Sequence, residues 1–222
     1  MRIIVTAGPT REHLDPVRFL SNPSTGKMGF AIAAEAARRG HEVTLIAGPV
    51  ALKTPKGVHR VDVTSAREML EESLRGLRGS RGCGGTAFIS TAAVADWRPA
   101  KCAAKKLKKS EMSGVLKLVR NPDILKTIAG LRRGRSPSPA VAGLRLVGFA
   151  AETDHVLAEA ARKCREKGLS FVVANDVTKK GSGFGTDTNK VTFVFPDGAQ
   201  RKFPLMTKRM VAKRILDEVS RL

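Results

Sequence analysis

Short apolar, β-branched runs alternate with helix-patterned segments along almost the whole chain. Ile3–Thr6, Val43–Ala47, Ala87–Thr91, Leu146–Phe149 and Phe171–Ala174 read as strands buried on both faces, with Val58–Val61 as a further candidate. Met28–Arg39, Ser65–Leu77, Pro122–Leu131 and Asp154–Lys167 carry helical spacing between them. Gly40 and Gly168 supply helix stops. Ser65 and Asn121 supply N-caps, with Pro122 at a first helical position. Near the end, Lys190–Phe195 and Arg201–Leu205 flank Pro196-Asp197-Gly198 and read as an antiparallel hairpin. Thr207 then caps a closing helix to Leu222. Such alternation predicts an α/β fold: three layers, a mostly parallel sheet with helices on both faces, and a late antiparallel hairpin. The length, 222 residues, suits one domain over 1–222 with room for a small lobe.

Composition narrows the function classes. Hydrophobic residues make up 42%, enough for a sizeable core, yet no apolar run is long enough to span a bilayer. The N-terminus turns polar too soon for a signal peptide. Cys83, Cys102 and Cys164 are odd in number and far apart, which fits a reducing compartment, so a cytoplasmic protein is expected. His13, His41, His59 and His155 show no ligand spacing, and no structural metal is expected. The net charge of +20 attracts anions, from nucleic acid to phosphorylated small molecules. With 5% aromatics and no tyrosine, a stacking surface for single strands is disfavoured, and neither nucleic acid nor membrane is expected as a partner.

Open parallel sheets bind ligands beyond the carboxyl ends of their strands. The loops predicted there are Gly8–Met28, Ala92–Pro99, Ala150–Asp154 and Asn175–Asn189. Arg11 to Gly26 reads as one long loop. Its end, Asn22-Pro23-Ser24-Thr25-Gly26-Lys27, runs into a helix, where free backbone N–H groups and the helix dipole favour an anion. A Walker A motif is rejected, because Met28 replaces the Ser or Thr that would hold magnesium. The dinucleotide fingerprint is absent too, since the first turn is Ala7-Gly8-Pro9-Thr10. Asp96 either accepts hydrogen bonds from a ligand or pairs with Arg98 in a turn. The run Lys105-Lys106-Leu107-Lys108-Lys109 is either a solvated loop or a clamp on a triphosphate. It opens a basic, irregular stretch, Lys105–Val119, that reads as a protruding hairpin or flap at about 101–119. Lys163 and Lys167, four apart on a helix, form either a shared anion contact or an exposed face. Asn175-Asp176 and the glycines after them suggest a mobile loop near the same edge.

Taken in order, several segments resemble phosphopantothenoylcysteine synthetase, the phosphopantothenate–cysteine ligase family of coenzyme A biosynthesis. They are Val5–Thr10, Asp15-Pro16-Val17-Arg18, Ser21–Gly29, Ala92–Asp96, Lys106–Lys109, Asn121-Pro122-Asp123, Gly148–Thr153 and Ala174-Asn175-Asp176. The resemblance implies a Rossmann-like fold and a two-step reaction. The carboxylate of 4′-phosphopantothenate attacks the α-phosphate of CTP, and cysteine then displaces CMP from the acyl-cytidylate. It implies Mg2+ held mainly by the phosphates, a homodimer whose sites borrow from the partner, and often a fused flavin-dependent decarboxylase. By position, Asn22 and Lys106 carry the catalytic expectation. Ala92, Ala93, Val94, Asp96, Lys106, Pro122, Asp123, Ile124, Leu125, Phe149, Lys163 and Lys167 are expected at the nucleotide. Gly8, Asn22, Ser24, Gly26 and Lys27 are expected at the acid substrate. Arg132–Gly143 is longer and more basic than the pattern needs and has no assigned contact.

Overall fold

The computed structural model describes residues 1–78, 85–108, 114–133, 141, 143–152, 155–176, 181–183 and 185–222. Its strands begin with β1 (Arg2–Ala7), β2 (Arg11–His13), β3 (Phe19–Ser21), β4 (Glu42–Ala47) and β5 (Val58–Asp62). Then come β6 (Thr86–Ser90), β7 (Trp97–Pro99), β8 (Leu118–Arg120), β9 (Arg145–Glu152) and β10 (Phe171–Asp176). The last are β11 (Thr188–Asn189), β12 (Val191–Val194), β13 (Gln200–Lys202) and β14 (Met206–Thr207). The helices are α1 (Lys27–Arg38), α2 (Ala66–Arg78), α3 (Ile124–Arg132), α4 (Val156–Glu166) and α5 (Lys208–Arg221).

The main sheet has the order β13-β12-β10-β9-β6-β1-β4-β5. From β10 to β5 every pairing is parallel, while β12 and β13 add the expected antiparallel hairpin. Taken in chain order, the parallel strands run 3-2-1-4-5-6, which is the doubly wound arrangement. Its direction reverses between β1 and β6. Ile3, Ile4 and Val5 are fully buried because helices cover both sides of β1. One apolar core joins α1 and α5 to one face of the sheet. The other joins α2, α3 and α4 to the opposite face.

Sequence-level caps hold at two helices and shift at a third. The Ser65 hydroxyl accepts from the Glu68 amide, and the Glu68 carboxylate accepts from the Thr64 amide, a reciprocal cap on α2. Thr207 caps α5 through the Met210 amide. At α3 the cap is Asp123, not Asn121, and Pro122 lies before it. The Asp123 carboxylate reaches the Lys126 amide at 2.9 Å, whereas the Asn121 side chain is spent on the Ala95 carbonyl.

The segment expected as one long loop contains a ribbon, β2 paired with β3. Its turn closes on Asp15, whose Oδ1 accepts from the amides of Val17 (2.9 Å) and Arg18 (2.8 Å). A second ribbon pairs β7 with β8, so the basic stretch between them leaves and returns as an excursion. Its first part is docked on the Asp15 turn: Leu107 N–H donates to Asp15 Oδ2, and Arg18 Nη2 donates to the Leu107 carbonyl. Residues 109–113 of this flap and residues 134–140 and 142 of the basic insert lie outside the described residues. Val17, Phe19, Trp97 and Leu118 stay exposed on the two ribbons. Among the described residues, no helix is long and apolar enough to cross a membrane.

Candidate active site

Loops after β1 and β6 and the carboxyl ends of β9 and β10 meet at one edge of the sheet beside the switch point. Backbone bonds fix the first two against each other. Ala93 N–H donates to the Gly8 carbonyl at 2.9 Å, and Ala95 N–H donates to Thr10 Oγ1 at 3.0 Å. Asn22 Nδ2 donates to the Ala93 carbonyl at 3.0 Å, which draws the end of the first loop over the second.

A cavity of about 410 Å3 opens beside this junction. Asn22, Ala92 to Asp96, Asn121 to Leu125, Phe149, Ala151, Lys163 and Lys167 line it. Most of the expected nucleotide residues therefore share one space. The Arg98 guanidinium donates to Asn121 Oδ1 at 3.1 Å. The exposed Asp96 carboxylate has no bond or ion pair among the described residues. Arg98 is spent on Asn121 and the Arg120 carbonyl rather than on Asp96, and Asp96 lines the cavity. Lys167 Nζ lies 2.7 Å from Asp123 Oδ2. Burial raises the Asp123 pKa, but the Lys167 ammonium and the Lys126 amide outweigh it and hold the carboxyl below its ordinary range.

A smaller cavity, about 60 Å3, lies across Ala151, which lines both. Its floor is the start of α1, from Ser24 to Gly29. Gly26 at the N-cap has φ 76° and offers no side-chain cap, so the first-turn amides carry only what the loop or a ligand supplies. Gly29 sits so close to β1 that a β-carbon there would be 2.5 Å from the Ala7 β-carbon. Asn175, only 7% exposed, lines the wall, and its Oδ1 has no hydrogen-bond partner among the described residues. Lys208, 8% exposed, donates to the carbonyls of Thr186 (2.6 Å) and Gly183 (3.2 Å). Burial, then the charge of Lys27, lowers its pKa. Lys27 itself is engaged: its ammonium meets Asp187 Oδ1 at 2.7 Å and the Gly185 carbonyl at 3.0 Å.

Two expected site residues line neither cavity. Gly8, with φ 78°, is a backbone junction that passes under Val50 and Gly48. Lys106 is exposed on the flap, next to the docked Leu107. Thr153, Asp154 and Phe184 lie outside the described residues. Lys208 and Asp187 carried no sequence signal, because each acts through a contact far along the chain. Asn175 could have been found from its place at a strand's carboxyl end.

Residues 1–222 match the model of the DNA/pantothenate metabolism flavoprotein C-terminal domain. The chain belongs to this family. It is 46% identical over 222 residues to the coenzyme A biosynthesis bifunctional protein CoaBC of Escherichia coli K12, covering 99% of this chain and 51% of that protein. With the CoaBC protein of Bacillus subtilis it is 43% identical over 221 residues, covering 99% and 51%. The chain thus spans about half the length of the curated relatives it matches. The solved C-terminal domain of a CoaBC protein superposes with a TM-score of 0.79 at 40% identity, covering 99% of this chain and 94% of that one. In this DNA/pantothenate metabolism flavoprotein C-terminal domain, the doubly wound sheet sets both cavities on one edge, with Ala151 lining each.

Proposed function

We propose that residues 1–222 form one ligase domain that joins 4′-phosphopantothenate to L-cysteine at the expense of CTP. The observation that carries this reading is the pair of cavities meeting at Ala151. The larger suits a nucleotide, with Asp96 for polar edges and Lys163 and Lys167 for phosphates. The smaller suits the phosphate end of the acid, with the α1 amides, Ser24 and Lys208 for its anion and Asn175 Oδ1 for an N–H or O–H.

In the first step a carboxylate oxygen attacks the α-phosphorus of CTP, the bond to the β-phosphate breaks, and pyrophosphate leaves. In the second, the cysteine amine attacks the acyl carbon, the bond to CMP breaks, and the amine loses a proton. Neither step needs a protein nucleophile; positioning and charge stabilisation suffice. Asn22 lies at the junction and orients the acyl-phosphate region. Lys106 joins it when the flap covers the site. Mg2+ would travel with the phosphates and balance their charge.

The exposed apolar side chains of the two ribbons suit burial against a second copy, giving a homodimer. Fusion to, or association with, a flavin-dependent decarboxylase fits the bifunctional relatives, and the reaction is a cytoplasmic one. Purified protein given CTP, Mg2+, phosphopantothenate and cysteine is expected to release pyrophosphate and CMP in equal amounts. Release no greater than in blanks without cysteine and phosphopantothenate overturns the reading. Asn22→Ala should keep the fold and slow turnover strongly.

A further inference from the structure

Asp123 does two jobs with one carboxylate. Oδ1 accepts the Lys126 amide and caps α3; Oδ2 holds the Lys167 ammonium at 2.7 Å. Lys167 is the residue on which α4 ends, one turn after Lys163, and both lysines line the larger cavity. The side chains of this pair are neither fully buried nor fully open, at 24% exposure for Lys167 and 40% for Asp123. A polyanion entering the cavity meets Lys167 already neutralised, with a carboxylate at the α3 N-terminus where phosphate would otherwise be favoured.

We propose that Asp123 is a positioning residue that parks Lys167 between turnovers and competes with phosphate for it. The anion is bound by exchange, Asp123 for phosphate at one ammonium, and the ion pair re-forms as the anion leaves. Asp123 thereby weakens binding of every polyphosphate and speeds its departure. This rests on the nucleotide reading of the larger cavity, but it needs only a polyanion there.

The test is calorimetric titration of the full chain with CTP and, separately, with inorganic tripolyphosphate at low salt. Asp123→Asn keeps an N-cap of equal quality while removing the charge, so folding should be preserved. It is expected to tighten tripolyphosphate binding about fivefold. In a Lys167→Met background the same change should tighten binding clearly less, a non-additivity that a structural role alone would not produce. Unchanged or weaker binding by Asp123→Asn, or full tightening without Lys167, overturns the proposal. If tripolyphosphate behaves as expected but CTP does not bind, the ligase reading fails and the exchange stands. Binding of neither to the unaltered protein removes both.

Discussion

A β-carbon on Gly48 would lie 1.7 Å from the carbonyl oxygen of Pro9. In dinucleotide-binding sheets, the first strand–helix turn is where the pyrophosphate approaches the backbone. Here that turn is pressed onto the exit of β4, and Pro9 also bridges to Ala93 beyond β6. The nucleotide-sized space consequently opens on the other side of the switch point, between β6 and β9.

Gly48→Ala forces that contact apart. Overpacking at a backbone carbonyl with no flexible neighbour should cost about 3 kcal/mol or more. Urea denaturation should show a lower midpoint with an unchanged slope, whereas a midpoint equal to that of the parent would mean the turn yields freely.

Asn175→Ala separates stability from binding. An acceptor without a partner contributes nothing favourable to the empty protein, so unfolding free energy should change by no more than about 1 kcal/mol. Affinity for phosphopantothenate should fall about tenfold, within the range for losing one hydrogen bond to a charged or polar ligand. Equal affinity in both proteins would exclude Asn175 from the acid site.

Glu35 gives a pH signature. Hydrogen bonds from Arg38 act most strongly and burial opposes them; with Arg39 added, its carboxyl pKa falls to about 2. A depressed folded-state pKa stabilises the fold above the unfolded value, roughly 4.3, and that stabilisation is lost as pH falls towards 2. Glu35→Gln should thus be less stable than the parent at pH 7, with the gap closing between about pH 4 and pH 2. A gap independent of pH would assign the difference to packing instead.

Val17→Asp combined with Leu118→Asp places charge on the exposed apolar face of the ribbons. Sedimentation should move from twice the chain mass of 23.8 kDa to a single chain, with far-UV ellipticity unchanged. A species that keeps the double mass would locate the dimer contact elsewhere.

The central strands β1, β4, β6, β9 and β10 were readable because each is built on a continuous apolar run whose partners also lie in regular segments. Ser65 and Thr207 announced their helices through local chemistry that needs no tertiary contact. The ribbons were not readable. β2 and β3 are short and half exposed, and they hold their pairing through the Asp15 turn and a flap residue, Leu107, far along the chain. Lys27 and Lys167 looked like unopposed cations because their carboxylate partners, Asp187 and Asp123, are distant in sequence. The Asn121 cap failed because two cap-competent residues, Asn121 and Asp123, flank Pro122, and only the fold decides which faces the helix.

Ala151 lines both chambers, and its side chain is a single methyl group. On the proposed ligase reading, the acid's carboxylate oxygen would reach the nucleotide past this residue, so its small size would govern whether two occupied chambers communicate. Branching it to valine would leave each guest its own lodging while keeping the acid beyond reach of the phosphorus. Such a protein would hold both reactants indefinitely and join neither.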